Sequence, residues 1–312
     1  MLTISEEKIV DYEITARIAT EAFDSKDVVF SGERVKWLYE RSFGQGSTIL
    51  AAYDGDAKVG QMALIHQKLR SGGEAVTATQ LVDLFIVQAH RSPQLVRRLY
   101  KEVERVCLAQ NIRFILGVPN ENAKSLNARL LKLNPLFWLP IRAGLGVWWP
   151  RGSRLKYSGL FKSMARQDAI DLLTGFATLA SETGLQWDGA TLFDRLSDPT
   201  RDYAVHATAD LLLISSSRTT KGVRYAMLCG FFARPQAEVM PSDIRVLTGA
   251  ACRHWKHAFF VYVGVNDSLP ALPGFILPTR LRAPMLVQLR DFTTDKPDMR
   301  FDRFQLIDTD FV

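Results

Sequence analysis

The chain has 312 residues, enough for two domains of ordinary size, each with its own core. Its 47% apolar and 23% charged content excludes a disordered or fibrous chain. A net charge of +6 suits an acidic ligand such as a phosphorylated cofactor; without a clustered basic patch, no nucleic-acid partner is expected. Cys107, Cys229 and Cys252 are odd in number, widely spaced and set in apolar runs. That argues against a disulfide framework and for a reducing compartment. The first residues lack a signal-peptide pattern, and apolar runs such as Ala226 to Ala233 are too short to span a bilayer. The expectation is a cytoplasmic protein with no membrane span.

In chain order, residues 8 to 23 read as a short strand followed by a helix. Gly32 to Phe43 carries Val35, Leu38 and Tyr39 at helical spacing. Ser47 to Tyr53 and Lys58 to Leu69 are strand-like and joined by Asp54-Gly-Asp-Ala, a strong hairpin signal. Ser71-Gly-Gly73 turns the chain into a strand that ends at Val87.

The stretch from Gln80 to Asn134 then reads strand, basic turn, helix, strand, helix. Ser92 is placed as N-cap and Pro93 at the first helical position, and Leu95, Leu99, Val103 and Val106 define a buried face. The strand Phe114 to Gly117 follows. The second helix is expected to bury Ala123, Leu126, Leu130 and Leu133 and to close at Asn134-Pro135. A turn that feeds a helix from a strand is where backbone N–H groups can hold phosphate.

Phe137 to Trp149 suggests two more strands, and the polar, basic run Pro150 to Lys156 suggests a linker. Beyond it lie a helix over 165–181 and three strand-like runs within Asp202 to Pro235. A helix from Pro241 to about His257, a buried strand over Phe259 to Val265 and a final strand at Phe304 to Asp308 complete the chain. The halves echo one another. Phe114-Ile-Leu-Gly-Val-Pro-Asn120 and Val261-Tyr-Val-Gly-Val-Asn266 each follow a helix. Phe137-Trp-Leu-Pro-Ile-Arg142 and Phe275-Ile-Leu-Pro-Thr-Arg280 agree at four of six positions.

On these residues the first half resembles the GNAT N-acyltransferase superfamily, whose members transfer an acyl group from coenzyme A to an amine. The resemblance rests on the Asp-Gly hairpin over 53–69, the strand Val82-Asp-Leu-Phe-Ile-Val87 and the Arg91-led turn into a helix. It is supported by the strand ending Gly117-Val-Pro-Asn120 and by Lys132-Leu-Asn134, where the family usually has Lys-Leu-Gly. The whole chain resembles the two-domain GNAT proteins of bacteria. Val35-Lys-Trp37 stands for their Trp-containing helix, and Leu192-Phe-Asp-Arg-Leu-Ser-Asp-Pro199 is a degraded counterpart.

The resemblance implies an α/β fold: a mixed, mostly antiparallel sheet with flanking helices, in two GNAT-like acyl-CoA N-acyltransferase domains in tandem. Residues 1–150 would hold an acyl-CoA site, and 151–312 would be a second, degenerate domain. The implied co-substrate is acetyl-CoA or a longer acyl-CoA, with no metal, and the implied partner is a small-molecule amine acceptor.

The candidate residues follow from that mapping. Asp83, a lone acid among Leu81, Val82, Leu84 and Phe85, is the candidate base; equally, it caps a turn or pairs with an arginine. The backbone N–H groups of Phe85, Ile86 and Val87 would hold the carbonyl oxygen as charge develops. Arg91, Gln94, Leu95, Val96 and Arg97 form the turn and helix start for the cofactor's phosphates. Asn120 and Asn122 contact its pantetheine arm or cap the next helix.

Gln94 and Val96 stand where the family has small residues in that turn, and Leu130 stands where it has a tyrosine acid. These departures favour a rival reading: a non-catalytic binding or scaffolding protein of the same fold. Trp138, Trp148 and Trp149 line a pocket or belong to the core. Cys252, His254 and His257 lack metal-site spacing and read as packing or surface residues. Gly-x-Ser-x-Gly, a Walker loop and the spaced-glycine dinucleotide fingerprint are all missing, which sets aside hydrolase and dehydrogenase classes.

Overall fold

A computed structural model describes residues 2–23, 30–146, 154–177, 183–294 and 299–310. Its elements begin with β1 (Leu2–Glu6), α1 (Tyr12–Phe23), α2 (Gly32–Glu40), β2 (Ser47–Asp54), β3 (Ala57–Ser71) and β4 (Glu74–Ile86). They continue with α3 (Pro93–Ala109), β5 (Phe114–Gly117), α4 (Glu121–Leu131), β6 (Asn134–Leu139), β7 (Ile141–Leu145) and β8 (Tyr157–Leu160). Next come α5 (Arg166–Ala177), β9 (Gly184–Leu185), α6 (Gly189–Leu196), β10 (Tyr203–Ala207), β11 (Leu211–Thr220) and β12 (Val223–Ala233). The last are α7 (Pro241–Trp255), β13 (Phe259–Asn266), β14 (Phe275–Ile276), β15 (Met285–Asp291) and β16 (Arg303–Gln305).

Two compact units result. The first comprises Met1–Lys68, Ala75–Phe137 and Val287–Asp298; the second comprises Leu69–Glu74, Trp138–Leu286 and Met299–Val312. The boundary expected at 150/151 lies outside the described residues. The units themselves each take in a strand from the other half of the chain.

In the first unit the strand order is β1-β2-β3-β4-β5-β15-β6. Asp54 and Gly55 make the expected hairpin, with Gly55 at φ +60° supplying the left-handed turn residue. The first strand lies at Leu2–Glu6, ahead of its expected place. It is a mostly exposed edge strand, and such a strand has little apolar alternation to announce it.

α3 forms for the reasons its sequence gives. Ser92 Oγ accepts from the Leu95 N–H at 3.2 Å, Pro93 opens the helix, and Leu95, Leu99, Val103 and Val106 are all buried. Each such side chain contributes roughly 1.5–3 kcal/mol on burial. The helix connects β4 to β5, which pair in parallel from Ala78↔Phe114 to Gln80↔Leu116.

α4 ends earlier than expected. Lys132, at φ +55°, is its left-handed cap and donates its N–H to the Asn127 carbonyl; Asn134 and Pro135 open β6 instead. Proline is tolerated there because β6 lies at the end of the strand order.

β15 arrives from residues near the end of the chain and pairs with β5 from Gln288↔Gly117 to Asp291↔Phe114. Buried polar contacts fix it. Asn127 Nδ2 donates to Gln288 Oε1 (3.2 Å), and Arg290 donates to the Leu131 carbonyl (3.1 Å) and to Glu104 Oε1 (2.6 Å).

The second unit repeats the plan. β8, β10, β11, β12 and β13 follow in order, with β12 and β13 parallel from Tyr225↔Phe259 to Leu228↔Tyr262 and α7 connecting them. β7, from the first half, pairs along β13, and β14 pairs with β7. The exchange is therefore reciprocal: β7 flanks β13 as β15 flanks β5. The echoed segments sit at matching places, Phe137–Arg142 running from β6 into β7 and Phe275–Arg280 beginning with β14 ahead of β15.

All three cysteines are free and buried. Among the described residues no helix is long and apolar enough to cross a membrane.

A fragment ending at residue 150 lacks β15. It leaves the β5 edge without β15 and takes Gln288 from Asn127 Nδ2 and Arg290 from Glu104. We expect it to lose the cooperative thermal transition of the whole chain by circular dichroism. A native-like melt of that fragment would show that β15 is dispensable.

Candidate active site

The site begins where a pair of strands stops pairing. The parallel ladder between β4 and β5 ends at Gln80↔Leu116; β5 finishes at Gly117, while β4 runs on to Ile86. At that end of the unit lies a cleft of about 640 Å³. Leu84, Phe85 and Ile86 of β4 form one wall, and Ser92, Pro93, Val96 and Arg97 at the start of α3 form another. Asn120, Asn122, Ala123, Leu126, Arg129 and Leu130 of α4 line the opposite side, and Ala22 and Phe23 close the α1 end. Phe23 stacks on Phe30 at 5.3 Å between centroids and meets Phe85 edge-on at 6.2 Å. Aromatic pairs of this kind stiffen a wall at about 0.5–1.5 kcal/mol each.

The α4 stripe expected to be core is therefore largely cleft lining. Leu133 is buried as expected and Leu126 and Leu130 pack partly buried against the core, but they and Ala123 also line the cavity, and the fully buried side chains within α4 are Asn127 and Leu131. A dry pocket and a core ask for the same apolar spacing, so periodicity cannot tell them apart.

Charge is distributed one-sidedly. Among the described residues, Arg91, Arg97 and Arg129 line the cleft and no aspartate or glutamate does. The three cations play different parts. Arg91 Nε donates to the Ile86 carbonyl at 2.9 Å, and its Nη2 donates to the Ala22 carbonyl at the C-terminal end of α1. Its fork thus ties α1 to the end of β4. Arg97 and Arg129 are exposed on two helices that border the same opening.

At the helix start, Ser92 takes the Leu95 N–H with its side chain and the Val96 N–H with its carbonyl, and Pro93 has none to offer. The turn is therefore poorer in available backbone donors than a glycine-rich cradle. The arginine side chains have to carry more of any anion binding.

Of the other expected cofactor residues, Phe85, Ile86, Asn120 and Asn122 line the cleft, but Val87, Gln94 and Leu95 do not. The Val87 N–H is bonded to the Val59 carbonyl of β3 at 2.9 Å, so it cannot receive a substrate oxygen. Leu95 is 1% exposed and packs in the core. By strand alternation Ile86 faces away from β3, as its bond to Arg91 shows, so its N–H is directed to the cleft side. Asn120 caps α4 by accepting from the Ala123 N–H at 2.9 Å.

Asp83 sits beside this wall but looks elsewhere. Its φ of +50° is left-handed, an uncommon conformation that Asp tolerates better than most residues. The carboxylate accepts from the Tyr39 hydroxyl of α2 at 2.7 Å, and Tyr39 accepts from Gln61 Nε2 of β3 at 2.5 Å. Met62 and Leu64 pack with α1 and α3, so Gln61, alternating with them, belongs to the other face of the sheet. Burial pushes the Asp83 carboxyl above its ordinary range; the Tyr39 hydrogen bond and the nearby Arg34 charge oppose that rise. Burial, with the Asp83 charge and hydrogen bond adding to it, also raises the Tyr39 phenol. Sequence reasoning missed Tyr39, Gln61 and Arg129: Tyr39 sits in a helical apolar spacing, and no motif marks Gln61 or Arg129.

The equivalent place in the second unit is filled. Beyond the last β12–β13 pair, Gln305 of β16 lies between the strands: its Oε1 accepts from the Phe231 N–H at 2.8 Å and its Nε2 donates to the Phe231 carbonyl at 3.1 Å. Tyr262 donates to the same Oε1 at 3.1 Å. A side-chain amide thus satisfies the backbone groups that an extended ligand would otherwise use.

Elsewhere in that unit, Ser158 Oγ lies 2.8 Å from His206 Nδ1, which superficially pairs a nucleophile with a base. The other ring nitrogen meets Ser215 at 2.9 Å rather than a carboxylate, and burial drives the imidazole down to about 3, so it is too weak a base for the task. His254 packs edge-on against His206 and Trp255, and His257 bonds Ser217. Trp138 is 47% exposed, and Trp148 and Trp149 lie outside the described residues. Among the described residues no group of three or more His, Cys, Asp or Glu is placed to hold a metal.

Solved structures share this architecture. A GCN5-related N-acetyltransferase from Anabaena variabilis matches with a TM-score of 0.62 at 12% identity, over 93% of this chain and 73% of that one. A tandem GNAT protein from the clavulanic acid biosynthesis pathway matches with a TM-score of 0.56 at 8% identity, over 96% of this chain and 100% of that one. N-myristoyltransferase of Saccharomyces cerevisiae, solved with bound myristoyl-CoA, matches with a TM-score of 0.57 at 13% identity, over 93% and 79%. No protein-family model matches the chain, and no curated sequence is significantly similar to it. At these identities the likeness establishes the fold: two GNAT-like domains in tandem.

Replacing Gln305 by Ala removes the side-chain acceptor of the Phe231 N–H, while the Phe231 carbonyl keeps the Asn266 amide at 3.1 Å. The expected cost is about 1–3 kcal/mol of stability, read as a lower denaturant midpoint with an unchanged slope. A variant as stable as the parent would show that water or a neighbouring group replaces the amide.

Proposed function

We propose that the first unit is an acyl-CoA-dependent N-acyltransferase acting on a small-molecule amine. The observation that carries this reading is the cleft at the end of the β4–β5 ladder, apolar in its walls and edged by Arg91, Arg97 and Arg129. Such a cavity suits a donor with an apolar acyl-thioester end and a phosphorylated tail. The acyl-pantetheine portion would run along Leu84–Ile86, with the phosphates towards Arg97 and Arg129. The acceptor amine would approach Asp83 from the α2 face of the same strand.

The chemistry asks little more of the chain. The neutral amine attacks the thioester carbonyl carbon, a C–N bond forms, and the carbonyl oxygen gains charge that the Ile86 N–H is directed to receive. Collapse breaks the C–S bond and releases the coenzyme A thiolate, while the amine proton passes to Asp83, directly or through water. Leu130 lines the cleft where the family has a tyrosine acid and cannot protonate the thiolate. With a thiol pKa near 8.5, the thiolate is a competent leaving group without a general acid. An acetyl or a longer acyl group both suit the apolar wall.

A non-catalytic GNAT-fold binding protein is the second reading. It is favoured by the engagement of Arg91 with carbonyls and of Ser92 with two N–H groups of the helix start.

Calorimetric titration with acetyl-CoA and longer acyl-CoAs separates the two. Submillimolar binding, weakened roughly 10- to 100-fold by Arg97→Ala or Arg129→Ala, supports the enzyme; charged hydrogen bonds of about 1.5–3 kcal/mol set that range. No binding to any acyl-CoA would leave the scaffold reading standing. If binding holds, Asp83→Asn, which also tolerates a left-handed backbone, should lower transfer roughly 10²- to 10⁴-fold at nearly constant affinity.

A further inference from the structure

Asp83 does not hold its place alone. Its backbone is in the left-handed region within a strand, and one carboxylate oxygen, Oδ2, accepts from Tyr39 at 2.7 Å. Tyr39 is itself 1% exposed, and Gln61, which is 0% exposed, donates to its oxygen at 2.5 Å. Gln61 Oε1 is buried without a hydrogen-bond partner among the described residues, so this side chain is held for the contact it donates. The three side chains come from α2, β3 and β4 and converge one residue before the Leu84–Ile86 wall.

We infer that Tyr39, oriented by Gln61, is the positioning residue of the Asp83 base: it holds Oδ2, fixes the rotamer and leaves Oδ1 to take the amine proton. This rests on the N-acyltransferase reading of the same site. The charged and titratable groups bearing on Asp83 are Tyr39 and Arg34 of α2, and Glu7 bears on Tyr39 in turn.

The hydrogen bond from Tyr39 stabilises the charged carboxylate, so it acts to lower the Asp83 pKa against the upward push of burial. Removing the hydroxyl takes away that opposition, and the pKa rises further. The base works deprotonated, so activity increases as pH rises through this pKa. In Tyr39→Phe the acid limb of the kcat/KM profile must therefore move to higher pH.

The test uses the full chain with two independent readouts. The Asp83 carboxyl carbon is followed by NMR in carboxyl-labelled protein, assigned by its loss in Asp83→Asn. Free-thiol release from an acyl-CoA that binds is followed against pH with a panel of primary amines. Tyr39→Phe is expected to raise the Asp83 titration and the acid limb together by about one pH unit, with KM nearly unchanged. Gln61→Met, which keeps the tyrosine hydroxyl, is expected to produce a smaller shift of the same sign and serves if Tyr39→Phe folds poorly. Titration and acid limb coinciding with the parent's, with only a lower melting temperature, overturns the assignment and makes the chain of contacts structural. Failure of the parent to bind any acyl-CoA by calorimetry overturns the enzymatic reading instead, and the NMR titration tells the two failures apart.

Discussion

The structure depends most on how short β5 is. Four residues, Phe114 to Gly117, give β4 a parallel partner only as far as Gln80, and β4 continues for six more. Backbone groups of a strand that outruns its neighbour need something else to bond, and water or an extended ligand can serve. α3 starts immediately after that overhang, because Ser92 and Pro93 can only open a helix there. α4 follows just as promptly after β5, capped by Asn120. An unpaired strand end and two helix starts thus come to one place, and they do so through local sequence rules alone.

The second unit has the same construction and the opposite outcome. Its parallel ladder also stops, at Leu228↔Tyr262, but Gln305 bonds both backbone groups of Phe231 just beyond it. β16 is pinned in turn by Asp308, which accepts from the Gln305 N–H at 2.7 Å and from Trp187 Nε1 at 2.7 Å. Burial raises the Asp308 carboxyl, and Arg303 opposes that rise more strongly than these hydrogen bonds do. A protein amide in that position is satisfied at no entropic cost of capturing a free molecule. The open and filled ends show how two copies of one architecture can differ at the ladder end without differing in fold.

Most of the fold was legible because its signals are local. The Asp54-Gly55 hairpin, the Ser92-Pro93 helix start and the Leu95/Leu99/Val103/Val106 face each need only a few neighbouring residues to be read. The reciprocal placement of β7 and β15 was not legible, since a strand's partner is decided by packing far along the chain and leaves no mark in its own sequence. The site was legible in position and less so in membership. Val87 looked as exposed to the ligand as Ile86, but alternation turns its N–H to Val59. Leu126 and Leu130 looked like core, and Asp83 looked like a cleft residue until its left-handed backbone carried it to Tyr39.

Several departures from local rules meet at that strand end, and their coincidence is itself an argument. A left-handed aspartate within a strand costs of order 1–3 kcal/mol. A buried amide oxygen on Gln61 with no partner among the described residues costs about 1–3 kcal/mol more. An all-apolar arrangement of Phe, Met and a glycine at positions 39, 61 and 83 would avoid both costs. The chain instead holds an acid, a phenol and an amide in contact beside the wall where β4 overhangs β5, and that arrangement is what favours the proposed site over a merely inherited fold. The direction of inference matters here, because the strain and the orphaned oxygen are observed first and the role is read from them.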